Sequence, residues 1–180
     1  MEIIHIKPSA GPSDQLKPFT FRPCVLALGV FDGVHKGHQA LIAEAQRIAR
    51  DNGLSCGVMT FDPNPKAFLS PSRENVKALT PLSAKAAILQ QMGVDFLIVI
   101  QFNRPFSRLS PARFVEQYLL GLNCRHAVVG FDFRYGYQGQ GHAQTLAQDA
   151  GGKMAVTIVH PVVRDREKIS STAIRRRLLA

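Results

Sequence analysis

The stretch Cys24-Val25-Leu26-Ala27-Leu28-Gly29-Val30-Phe31-Asp32-Gly33-Val34-His35-Lys36-Gly37-His38 decides the fold. Residues 24–30 are apolar apart from one glycine, the pattern of a strand buried on both faces. Beyond them Leu41, Ala45 and Ile48 recur at i, i+4 and i+7, as on a helix with one apolar face. Between strand and helix, glycines at 29, 33 and 37 allow close backbone approach and positive φ. His35 and His38 are three apart, so a helical first turn puts them on one side. The start of that helix offers unpaired N–H groups and a positive dipole end. Two readings fit the stretch: a phosphate cradle flanked by imidazole donors, or an ordinary glycine turn with two surface histidines. A Walker A loop is absent from the sequence, which disfavours a P-loop ATPase.

Outward from this stretch, strands and helices alternate. Further strands are expected at Ser55–Phe61, Phe96–Ile100, Arg125–Gly130 and Lys153–His160. Thr80-Pro81 and Ser110-Pro111 each read as a cap followed by proline at the first helical position. The first helix turns Leu82, Ala86 and Leu89 inward and stops at Gly93; the second carries Phe114, Tyr118 and Leu122. Shorter helices are expected over His142–Ala150 and Ser170–Leu179. The fold class is therefore α/β: a Rossmann-like parallel sheet of about five strands with helices on both faces. Ligands in that architecture bind beyond the carboxyl ends of the strands, where strand order reverses, here just after residues 30, 61, 130 and 160. The segment Asp62–Leu79, with three prolines, reads as a long functional loop.

The 180 residues suit one domain, residues 1–180, with a single core. No apolar stretch is long enough to cross a bilayer, and no secretion signal opens the chain. Three cysteines, Cys24, Cys56 and Cys124, lack the spacing of a metal site or disulfide framework, which points to the cytoplasm. Each falls near the start of a strand and reads as a small buried group. With 22 basic and 13 acidic residues the net charge is +9, which favours anionic partners. Six of the basic residues lie between positions 164 and 180, and most read as a solvated tail. No aromatic interleaving marks a nucleic-acid groove there, so nucleic acid is disfavoured as a partner.

Ser170, Ser171 and Thr172 open the last helix, where hydroxyls cap it and donate to phosphate oxygens. Arg175, one turn on, can reach the same anion with its forked guanidinium. Asp132 follows the fourth strand and can accept from a ribose or an adenine amino group. Phe133 or Tyr135 can pack on a ring or belong to the core. Gln138–Gly141 reads as a flexible polar turn.

The run Ala27–Leu41, with its Gly33-Val34-His35-Lys36-Gly37-His38 centre, resembles the histidine–glycine–histidine signature of the nucleotidylyltransferase superfamily. In its longer form it is similar to the FAD synthetase (FMN adenylyltransferase) module of bacterial bifunctional riboflavin kinases. Three further segments match that family in order: Thr60–Pro65, Val129–Gly136 and Lys168–Arg175.

The resemblance implies ATP + FMN giving FAD + pyrophosphate, with Mg²⁺ arriving with ATP and no dedicated metal site. It implies His35, His38 and Arg175 as catalytic residues. ATP would contact Gly29, Val30, Phe31, Asp32, Gly33, Gly37, His38, Asp132, Ser170, Ser171 and Thr172. FMN would contact Asp62, Pro63, Asn64, Pro65, Phe68 and Phe133. The family usually has glutamate where Asp62 stands and histidine where Asn64 stands, which keeps another phosphorylated acceptor as an alternative. A non-catalytic nucleotide- or RNA-binding relative is a third reading. Family members usually continue into a riboflavin kinase domain, and no kinase activity is expected of residues 1–180. The sequence leaves oligomeric state open.

Overall fold

The computed structural model describes residues 1–10, 22–70, 79–161, 163–164, 167–168 and 174. Its elements in chain order begin with strand β1 (Glu2–Ile6), strand β2 (Cys24–Leu28) and helix α1 (Lys36–Asn52). Strand β3 (Ser55–Asp62), helices α2 (Pro65–Leu69) and α3 (Leu82–Gln91), strand β4 (Phe96–Gln101) and the short helix α4 (Arg104–Ser107) follow. Helix α5 (Pro111–Phe114) runs into a π turn (Val115–Leu119) and a 3₁₀ turn (Leu120–Leu122) before strand β5 (Cys124–Gly130). A small hairpin, β6 (Arg134–Tyr135) and β7 (Gly141–His142), leads through helix α6 (Leu146–Asp149) to strand β8 (Ala155–Val159). A second hairpin pairs β9 (Val163–Arg164) with β10 (Glu167–Lys168).

Six strands form one parallel sheet in the order β1-β4-β3-β2-β5-β8. The chain moves outward from β2 to β3 and β4, then returns to lay β5 on the other side of β2. Strand order therefore reverses between β2 and β5, the position where such sheets open a crevice. Alternate residues of β2 serve the two faces. Leu26 and Leu28 join a core with Met59, Ile98, Phe114 and Tyr118. Val25 and Ala27 join the opposite core with Ile42, Ala45, Ala86 and Leu89. Helices thus cover both faces, as parallel strands require. Helix α1 ends at Gly53, whose φ of 64° supplies the left-handed cap.

Several elements differ from the sequence expectation, each for a local reason. Strand β1 adds an edge to the expected five; only Ile6 of its residues is buried, so it shows no period. Helix α3 starts one residue late: Pro81 stands at the N-cap with ψ 153°, and the Thr80 N–H donates to Asp32 at 3.2 Å. The single helix expected through Phe114, Tyr118 and Leu122 changes pitch twice, yet all three side chains are buried. His142 pairs with Arg134 in the hairpin, so helix α6 begins only at Leu146. The expected long loop after Asp62 holds helix α2, capped by the Asn64 side chain accepting from the Lys66 N–H at 3.0 Å. The expected helix Ser170–Leu179 lies outside the described residues except for Ile174, which is helical. The three cysteines are free and buried, and burial pushes the Cys24 and Cys56 thiols up to about 12. No helix among the described residues is long and apolar enough to cross a membrane.

Candidate active site

At the end of β2 the chain makes an unusual turn. Phe31, Gly33 and Val34 have φ of 52°, 82° and 36°, all left-handed. Holding a bulky phenylalanine and a branched valine there costs on the order of 1–3 kcal/mol each. Packing and hydrogen bonds repay this. The Phe31 ring is fully buried, and it folds back over Gly29, where a Cβ would stand 3.2 Å from the ring. Asp32, 4% exposed, accepts from the Leu79 N–H at 2.7 Å. The Gln39 side chain donates to the Val34 carbonyl at 3.0 Å. Beneath the turn, Lys85 and Thr60 both donate to the Val30 carbonyl, at 2.7 and 2.8 Å.

The turn delivers two imidazoles to one place. His35 is the N-cap of α1, and its Nδ1 accepts from the His38 N–H at 3.4 Å. With Nδ1 accepting, a neutral His35 carries its proton on Nε2. The two rings stack with centroids 3.6 Å apart and planes 18° from parallel. His38 also packs edge-on against Phe31 at 5.2 Å. Burial, reinforced by His35 and Lys85 and opposed by Asp132, pushes His38 down to about 3. It is uncharged at neutral pH. Its buried Nδ1 has no hydrogen-bond partner among the described residues.

A cleft of about 470 Å³ opens over this turn, between the carboxyl ends of β2 and β5. Of the residues the sequence singled out for the nucleotide, Gly29, Val30, Phe31, Asp32, His35, Gly37, His38 and Asp132 line it. Gly33 does not. A Cβ there would meet Leu79 at 3.3 Å and Ile174 at 4.0 Å, so this glycine faces the packing behind the turn. Asn64, Pro65 and Phe133 line the same cleft, whereas Asp62 and Pro63 do not. Phe68 borders an adjoining hollow and packs edge-on against Phe102 at 5.4 Å. Ser170, Ser171, Thr172 and Arg175 lie outside the described residues.

The sequence reading missed most of the apolar end of the cleft. Phe102, Phe106 and Leu109 follow β4 and line it, beside Tyr135, which the sequence offers for packing on a ring. Ring contacts run from Phe102 to Phe106 and on to Phe114, Tyr135 and Phe133, at centroid distances of 5.4, 6.0, 5.5 and 5.9 Å. Tyr135 is anchored by donating to Asp149 at 2.6 Å. The signal was present in Phe102-Asn103-Arg104-Pro105-Phe106, an aromatic loop after a buried strand. Asn103 caps α4 there, accepting from the Phe106 N–H at 3.0 Å. One end of the cleft thus holds the paired imidazoles, and the other is a wall of rings.

The pattern of the family described as FAD synthetase matches residues 18–173. The bifunctional riboflavin kinase/FMN adenylyltransferase of Listeria monocytogenes is 50% identical over 152 residues, covering 84% of this chain and 48% of that protein. This chain spans about half the length of the curated relatives it matches. A crystal structure described as a macrolide-efflux protein from Streptococcus pneumoniae superposes with a TM-score of 0.86 at 33% identity, over 99% of this chain and 56% of that one. Pantothenate synthetase from Thermus thermophilus shares the fold alone, with a TM-score of 0.56 at 21% identity over 84% of this chain and 61% of that one. With the strand order, the histidine-bearing turn and the family pattern in agreement over most of its length, the chain belongs to the FAD synthetase family.

Proposed function

We propose that this chain transfers the adenylyl group of ATP to the phosphate of FMN, releasing pyrophosphate and forming FAD. The observation that carries this reading is a single cleft with a histidine–glycine turn at one end and an aromatic wall at the other. The polar end suits a triphosphate and the aromatic end suits a flat ring system. The 50% identity to a riboflavin kinase/FMN adenylyltransferase, over 84% of the chain, supports the same acceptor.

In the reaction an FMN phosphate oxygen bonds to the α-phosphorus while the bond from that phosphorus to the bridging oxygen of pyrophosphate breaks. The attacking oxygen is already anionic, so no side chain needs to remove a proton. The protein's work is alignment and charge stabilisation. His35 would donate from Nε2, and an uncharged His38 would supply a second ring N–H, at the α-phosphate and the departing pyrophosphate. First-turn N–H groups of α1 add a positive dipole end. Ser170, Ser171, Thr172 and Arg175 would hold the outer phosphates. Asp132, which lines the cleft, would accept from the ribose or adenine. Asn64 and Pro65 would border the flavin beside Phe133, with Asp62, Pro63 and Phe68 behind them. Mg²⁺ would enter with ATP, held chiefly by the phosphates. The free, buried thiols suit a cytoplasmic enzyme.

Removing one preorganised donor typically costs about 10²–10³ in rate. His38→Ala is therefore expected to lose about 10²–10³ in kcat with its circular dichroism unchanged. FAD formation from ATP, Mg²⁺ and FMN, followed by its absorbance after chromatography, checks both proteins. Pyrophosphate release with other phosphomonoesters but not with FMN would shift the acceptor to another phosphorylated small molecule.

A further inference from the structure

Lys85 is 6% exposed, although lysines on helices ordinarily carry their ammonium to water. It lies on α3 among buried Ala86 and Leu89. Its Nζ donates to the Val30 carbonyl at 2.7 Å and to the Thr60 hydroxyl at 3.2 Å. The fully buried Thr60 hydroxyl donates to the same carbonyl at 2.8 Å. Neither side chain lines the cleft. Burial depresses the Lys85 ammonium, while the charges of Asp32 and Asp62 favour it. An apolar side chain of similar volume would fill this place without the desolvation a buried cation incurs.

The carbonyl these two donors grip belongs to the last residue before the strained turn. Val30 precedes Phe31, Gly33 and Val34, whose left-handed backbone carries the chain into His35 and His38. A turn with two non-glycine residues in that region keeps its shape only when its surroundings over-determine it. We infer that Lys85, with Thr60, is a positioning residue for the adenylyl transfer: it pins the Val30 carbonyl and so fixes where the paired imidazoles stand, without touching substrate. This rests on the function proposed above.

The test compares Lys85→Met, Thr60→Val, their double variant and Leu89→Val with the unaltered chain. Leu89→Val shortens a buried side chain of the same helix and leaves the carbonyl untouched. A misplacement of about 1 Å in a catalytic group costs on the order of 10²-fold, so Lys85→Met should lower kcat about 10- to 100-fold. Thr60→Val should lower it several-fold, and KM for FMN should stay within about twofold. The double variant should be less than multiplicative, because both side chains act on one carbonyl. Leu89→Val should keep its kcat at temperatures well below its Tm. Imidazole ¹H–¹⁵N resonances at neutral pH should move for His35 and His38 in both single variants and stay fixed for His126.

Kcat within twofold of the unaltered chain in a folded Lys85→Met would overturn the inference, as would losses in all variants that track Tm alone. If Lys85→Met does not fold, Thr60→Val is judged by the same criteria. If the unaltered chain forms no FAD, the proposed reaction fails and the imidazole resonances alone decide for Lys85. Unmoved His35 and His38 signals would then refute its positioning role.

Discussion

His38 is a histidine that the fold keeps uncharged. Buried beside His35 and Lys85, it titrates near 3 in the folded chain against 6.5 when unconstrained. Between those values only the unfolded chain binds the proton. Stability therefore rises with pH across this window and drains away as pH falls from 6.5 toward 3. Allowing for its partial exposure, the contribution is on the order of 1–3 kcal/mol. Urea unfolding followed by circular dichroism, the suitable probe in a chain with no tryptophan, should show the unaltered protein losing more stability between pH 6.5 and 4 than His38→Gln. Equal slopes would contradict the burial of this ring. The same residue scale shows where sequence reading fails. His35 and His38 were legible because their spacing and the flanking glycines are local. Lys85 was not, because a lysine three residues after Leu82 reads as part of a solvated face until the helix is docked.

Elements follow the same division. Strands β2 and β4 were legible as continuous apolar runs, and β3, β5 and β8 as mostly apolar stretches. Helix α1 was legible from its period, and the cap at Ser110 from residue type. The edge strand β1 and the β6–β7 hairpin were not, since two to five residues with little burial carry no period. The aromatic wall depends on contacts between segments far apart in the chain, such as Phe106 with Tyr118 at 5.2 Å and Phe114 with Tyr135 at 5.5 Å. Gly136 shows how tightly that wall is assembled. Its φ is 75°, and a Cβ there would stand 2.7 Å from the backbone nitrogen of Pro111, the start of α5. Gly136→Ala combines left-handed strain with a clash against backbone, and should cost on the order of 1–3 kcal/mol. A Tm drop of several degrees together with a raised KM for FMN is expected. An unchanged Tm would mean that the hairpin moves independently of α5.

Across the whole molecule, the parallel sheet brings distant segments to one edge. The turn after β2, the loop after β4 and the residues after β5 and β8 all open on one cleft, though they span residues 29 to 161. Sequence order alone gives the forecast positions after residues 30, 61, 130 and 160. It does not give the loop after β4, because that strand lies two places from the switch point. The net charge of +9 agrees with the two anionic substrates proposed above. In the proposed reaction the α-phosphorus of ATP passes to FMN in this cleft. The direct measurement supplies ATP labelled at the α-phosphate, with Mg²⁺ and FMN, and follows the label by chromatography. Label should appear in FAD and not in pyrophosphate, at a rate about 10²–10³ lower with His38→Ala. Label that never enters FAD while ATP is consumed, or equal labelling by the His38→Ala chain, would contradict it.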